Sequence, residues 1–153
     1  MNKGYCFKAL NILHKTLLMG QIIFVAISIF IVYNKMIVSP AKEMDKLFQI
    51  ITIVLAAAGY FAGSAFFKKK LIQIEELQSS AKEKFEIYRS ASIIKWSLLE
   101  GPCIFSIISF VLTANYAFLA LAFVLILLFT IESPTKTKVA LQLGISELVL
   151  EDL

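Results

Sequence analysis

At 153 residues, 59% of them hydrophobic and only 17% charged, with a mean hydropathy of +0.81, the chain is too apolar to hide its side chains in a soluble core of its size. The surplus must face a lipid bilayer, which is the first partner expected. The net charge of +4 does not point to nucleic acid, because the lysines crowd the ends of apolar runs and form no basic face interleaved with aromatics.

The first apolar run, Leu17 to Tyr33 in a span of about residues 13–34, follows Lys3, Lys8, His14 and Lys15. Signal peptides begin in the same way, and Ser39-Pro40-Ala41 is a faint cleavage signal, but it lies several residues past the run and more spans follow, so a retained helix is expected. The second span, about 47–67, stops at Lys68-Lys69-Lys70; the third covers about 92–113 and the fourth about 116–131. The last is short for a hydrocarbon core of roughly 30 Å. Ser39-Pro40 and Ser133-Pro134 each offer a cap followed by a proline at the first helical position, where its missing N–H costs nothing. Residues 1–133 therefore read as an all-α, four-helix transmembrane bundle. Residues 134–153 read as an amphipathic tail, with Val139, Leu141, Leu143, Ile145, Leu148 and Leu150 among acids, suited to one or two short helices on the bilayer or on the bundle's stalk.

Four spans put both termini on one side. With the N-terminus inside, twelve cations are cytoplasmic (Lys3, Lys8, Lys15, Lys68, Lys69, Lys70, Lys82, Lys84, Arg89, Lys95, Lys136 and Lys138) and three, Lys35, Lys42 and Lys46, are external. Cytoplasmic loops retain Lys and Arg, so both ends are expected inside, in a bacterial inner membrane. Between the second and third spans, Leu71, Ile74, Leu77, Phe85 and Tyr88 recur at helical spacing among charges, which predicts a cytoplasmic helical stalk turning near Gln78 and Ser79. Ser80-Ala81-Lys82-Glu83 is a capping box at its second helix.

Offsetting the chain by 81 residues (98 − 17) lays Leu17-Leu18-Met19-Gly20-Gln21-Ile22-Ile23-Phe24 over Leu98-Leu99-Glu100-Gly101-Pro102-Cys103-Ile104-Phe105 without a gap, with eight identities in the eighteen positions up to Asn34 and Asn115. This predicts a tandem repeat of two helical hairpins, parallel and related by an axis along the membrane normal.

Glu100 is the most informative side chain. Near the middle of the third span a bare carboxylate would cost several kcal/mol, so it must be protonated, paired or wet. Gly101-Pro102 follows it, and a proline deprives the Leu98 carbonyl of its helical donor, so a kink is expected. Gln21, level with Pro102 in the repeat, is expected to reach Glu100 or that carbonyl, with His14 two turns below on the same face. In the structural alternative, Glu100 and Gln21 tie two helices together while His14 and Lys95 snorkel to the interface. Gly59 and Gly63 form a small-xxx-small packing face, within the bundle or between copies. Catalytic and metal-binding constellations are missing: the single histidine has no HExxH, there is no P-loop, and no cofactor is implied.

Two families bear comparison. A duplicated hairpin of this length is similar to the proteolipid rotor subunits of vacuolar-type ATPases, but those have glycine-rich inner helices and an ion-binding carboxylate on the second helix of a hairpin. Here glycines number six, Glu100 is on the first helix of its hairpin and the fourth has no carboxylate. Leu17-Leu18-Met19-Gly20-Gln21, Leu98-Leu99-Glu100-Gly101-Pro102 and Pro134-Thr135-Lys136-Thr137-Lys138 more closely resemble a group of small, uncharacterised bacterial four-helix membrane proteins. That resemblance implies a topology and no activity. The sequence thus leads to a non-enzymatic accessory or structural membrane subunit, alone, as a homo-oligomer or in a larger membrane complex. Its rival is a minimal proton or small-ion conduit centred on Glu100.

Overall fold

The computed structural model describes residues 5–37, 40–76 and 79–152, and among them every regular element is helical. The order is α1 (Tyr5–Tyr33), a single 3₁₀ turn at Lys42–Met44, α2 (Asp45–Glu76), α3 (Ala81–Thr113), α4 (Ala117–Ile131), α5 (Lys136–Leu143) and α6 (Glu147–Asp152). Three helices, α1 to α3, are long and apolar enough to cross a membrane. A fourth crossing exists only if α4 and α5, bent 65° apart, count as one span. The fifteen residues of α4 reach about 22 Å at 1.5 Å per residue.

α3 is the hub. It packs against α1, α2 and α4, and α1 also touches α4. Half of the most apolar stretch of α3 is buried, against 11% in α1 and 22% in α2, so the outer helices turn Met19, Ile23, Phe30, Val54 and Phe61 outward. The start of α2 is tied to the end of α3 by Ala41 N–H to Leu112 O at 3.2 Å and Asn115 Nδ2 to Asp45 Oδ2 at 2.7 Å. At the opposite, lysine-rich end the Phe67 and Tyr88 rings meet at 5.5 Å, so these two helices run antiparallel. α1 runs parallel to α3: Leu10 and Leu17 share one apolar cluster with Trp96 and Leu99, and further along Phe24 and Val25 share another with Cys103 and Ile107.

Local chemistry sets the boundaries. Ser80 accepts from the Glu83 N–H and Glu83 accepts from the Ser80 N–H, so the capping box starts α3 as its sequence requires. Ala114, in the left-handed region at φ 56°, ends it. Of the turn expected at Gln78 and Ser79, Gln78 lies outside the described residues, as does the Ser39 cap. The Ser133-Pro134 start is displaced by two residues: Thr135 caps α5, accepting from Lys138 N–H, while Ser133 still belongs to the last turn of α4, where its N–H is donated to Thr130 O.

The tail folds back on the lysine-rich extensions of α2 and α3. Val139, Leu143 and Leu150 are buried with Ile74, Phe85 and Tyr88, while Leu141 and Leu148 stay exposed. Burying each such side chain from water contributes about 1.5–3 kcal/mol. At membrane depth that driving force is absent, and the cluster of Cys103, Ile107, Ala122 and Leu125 holds by close packing instead.

Candidate functional site

The polar residues singled out in the sequence divide into three groups. At the lysine-rich end of the helix assembly, α4 stops inside the protein, and its last carbonyls lack the full set of helical donors. His14 of α1 meets one of them as a second partner, with Nε2 3.0 Å from Phe129 O, which also accepts the Glu132 N–H at 3.2 Å. A carbonyl only accepts, so Nε2 carries the proton, and the other ring nitrogen is buried without a partner. The imidazole stacks on Phe129 at 4.6 Å and meets Trp96 edge-on at 4.7 Å. It is 1% exposed, a helix-capping core residue and not one that snorkels.

Lys95 does not snorkel either. Its ammonium is 2.7 Å from Glu132 Oε2, at the C-terminal cap of α4, and 5.0 Å from the centre of the Phe67 ring. Lys138 of α5 approaches the same carboxylate at 3.7 Å. A positive group near a helix C-terminus also interacts favourably with the helix dipole. Phe67, Tyr88, Ser92, Lys95, Trp96, Glu132 and Lys138 enclose a cavity of about 10 Å³, close to the space of one water molecule.

The second group lies deeper. Gln21 is 2% exposed, two turns beyond His14 and between the two apolar clusters of α1, and neither atom of its carboxamide has a protein partner. The expected bond from Gln21 to Glu100 is not formed. Glu100 is half-buried, between buried Leu99 and exposed Gly101, and no described residue hydrogen-bonds it or forms an ion pair with it. The reason is angular: at 100° per residue the inward positions of α3 are Leu99, Cys103 and Ser106, and Glu100 is turned to the rim of that face.

The third group is a helix contact. α3 continues as a helix through Pro102, and the Leu98 carbonyl, which that proline cannot serve, lies against Gly59 of α2. A β-carbon on Gly59 would be 2.2 Å from this oxygen, whereas one on Gly63 would sit 3.5 Å from Lys95 atoms. The two glycines thus pack within one chain against the stretch of α3 that carries Lys95 and Pro102.

Among the described residues no three His, Cys, Asp or Glu side chains converge on a common point, and both cysteines are free thiols. The sequence reading missed Glu132, Phe129 and Trp96. One signal for Glu132 was available: in a hairpin turning at Asn115, Lys95 is twenty residues before the turn and Glu132 seventeen after it, so the two charges come out at nearly the same level. No protein-family model, curated protein or solved structure matches the chain.

Proposed function

We propose that the chain is a four-span inner-membrane protein of bacterial type, with both termini in the cytoplasm, that serves as a non-enzymatic structural or accessory subunit. In this reading α4 completes the fourth span, and the α2–α3 extensions with α5 and α6 form a small cytoplasmic body. The observation that carries it is the use made of the ionisable groups at the lysine-rich end. His14 caps α4, Lys95 and Lys138 neutralise Glu132, and the space they enclose has room for about one water. These groups join four helices, and holding a fixed shape is what they do chemically. The cation bias and the two-hairpin repeat support the same topology.

A conduit centred on Glu100 is the second reading. It is favoured by the two unpartnered polar groups at neighbouring depths, the Gln21 carboxamide and the Glu100 carboxyl, since intramembrane ionisable residues mark ion paths. The purified protein in liposomes loaded with a pH-sensitive dye separates the two. The structural reading expects proton flux no faster than in empty liposomes, and flux that disappears in Glu100→Gln establishes the conduit. Reporters after Leu153 and near Ser79 are expected to report a cytoplasmic location and one near Lys42 an external one; an external report at Ser79 sinks the topology.

A further inference from the structure

Two glycines are not accounted for by the packing of one chain. Gly20 and Gly101 match in the repeat register, and a β-carbon on either would meet nothing within 4 Å. Glycine inside a long helix loosens it, and in membranes its usual use is to let another helix approach closely. Beside Gly101 is Glu100, without a partner among the described residues at a depth where an unpaired carboxyl is costly. On the outer face of α1, a shallow, largely apolar groove is lined by Ile12, Lys15, Thr16, Met19, Gly20 and Ile23. Lys15 is exposed there and has no anionic partner among the described residues.

The two charges share a depth. α1 and α3 are parallel and His14 is beside Trp96, so Lys15 is level with Ser97, three residues or about 4.5 Å below Glu100. The four-carbon stem of lysine covers that distance. Within one chain the two do not pair.

We infer that the occupant of this groove is a second copy of the chain in the same orientation, placing Glu100 and Gly101 of one α3 against Lys15 and Gly20 of its neighbour's α1. Each copy supplies half of an ion pair. The contact joins two different surfaces, so it is completed either reciprocally, about a two-fold axis along the membrane normal, or by repetition around a ring. The inference rests on α1 and α3 lying in a membrane, as in the proposed function.

Cysteine cross-linking in native membranes tests it. In a full-length Cys6→Ser, Cys103→Ala background, Lys15→Cys copies co-expressed with Glu100→Cys copies are expected to give a dimer linked by a short bis-maleimide, which spans the axial offset that a disulfide cannot, and neither variant alone does so. A dimer from Glu100→Cys alone, or none from the mixture, overturns the inference. Gly20→Leu fills the groove at a position with open space in the single chain, so it is expected to melt like the parent and to lower the cross-linked yield at least tenfold; an unchanged yield overturns the contact. Exchanging the charges, Lys15→Glu with Glu100→Lys, is expected to restore the oligomeric mass in mild detergent that either single change lowers, and failure to restore it counts against the pairing. Protein released from membranes by alkaline carbonate would contradict the membrane reading itself, whereas a membrane-bound monomer overturns only the assembly.

Discussion

Gly59 and the Leu98 carbonyl are in contact at the only depth where α3 has a proline to free that oxygen. The hydrogen that takes the place of a β-carbon on Gly59 points at the oxygen, a weak C–H···O contact of about 0.5–1 kcal/mol. Glycine at 59 therefore answers proline at 102: one helix has lost a donor, and the other comes close enough to shield the acceptor from lipid.

Gly59→Ala is expected to destabilise the protein by about 1–3 kcal/mol, because backbone must move to relieve the 2.2 Å approach. Gly63→Ala, whose β-carbon meets Lys95 at an ordinary 3.5 Å, is expected to be neutral or to stabilise by up to about 1 kcal/mol through helix propensity. Thermal unfolding of both variants in one detergent checks the contrast. Equal losses would mean that the α2–α3 spacing is not set at Gly59.

How much of this the sequence disclosed depends on whether the signal was local. The Ser80 box, the helical extensions around Ile74 and Phe85 and the small-residue face of α2 are read within one or two turns of chain, and they form where expected. The structural alternative puts Lys95 and His14 at the interface because it considers each on its own helix, whereas their partners, Glu132 and Phe129, lie at the end of α4. The Gln21–Glu100 bond failed for a related reason: equal depth in a repeat places two residues at one level, but only the rotation of each helix decides whether they face each other. The five fully buried positions described on α1, Phe7, Leu10, His14, Gln21 and Ser28, fall at offset 81 on Tyr88, Ala91, Lys95, Pro102 and Ser109, all buried. This agrees with the repeat in helical phase. It does not select the register, since an offset of 85 also lands on five buried residues of the densely packed α3.

The ion pair at the foot of α4 should respond asymmetrically to truncation. Glu132→Gln leaves Lys95 buried with no counter-charge, and breaking a buried pair in this way costs about 3–5 kcal/mol. Lys95→Met keeps the packing on Phe67 and leaves Glu132 with Lys138 at 3.7 Å, so its loss should be smaller. The double variant should be less damaged than the sum of the singles. Chemical unfolding of the four proteins as a double-mutant cycle measures the coupling, and strict additivity would show that the pair contributes nothing.

His14 offers a separation of packing from hydrogen bonding. His14→Phe preserves stacking on Phe129 and the edge contact with Trp96 but cannot donate to Phe129 O, which keeps the Glu132 N–H, so the loss is that of one hydrogen bond, about 0.5–1.5 kcal/mol. His14→Ala removes the ring as well and should cost more, by the cavity it opens. If Phe is as stable as His in thermal melts, the cap on α4 is not what the imidazole supplies.

The tail gives the sharpest test of the fold outside the membrane spans, because its leucines differ in burial while sharing a helix type. Leu143 and Leu150 are 2% and 1% exposed, and Leu141 and Leu148 are 80% and 75% exposed. Truncating either buried one to alanine removes apolar contacts with the α2–α3 extensions and is expected to cost about 2–5 kcal/mol, whereas either exposed one should change stability by no more than about 0.5 kcal/mol. The loss should be local. α5 packs on α2 and α3, and α6 packs on α5; their buried residues share a cluster with Ile74, Phe85 and Tyr88 and not the one around Ile107, so Leu143→Ala should open the tail to proteases while the spans remain folded. Limited proteolysis of membranes opened so that both surfaces are accessible distinguishes these outcomes. Rapid cleavage beyond Pro134 in Leu143→Ala but not in Leu141→Ala is expected, and equal cleavage of the two would show that the tail does not dock through its buried face.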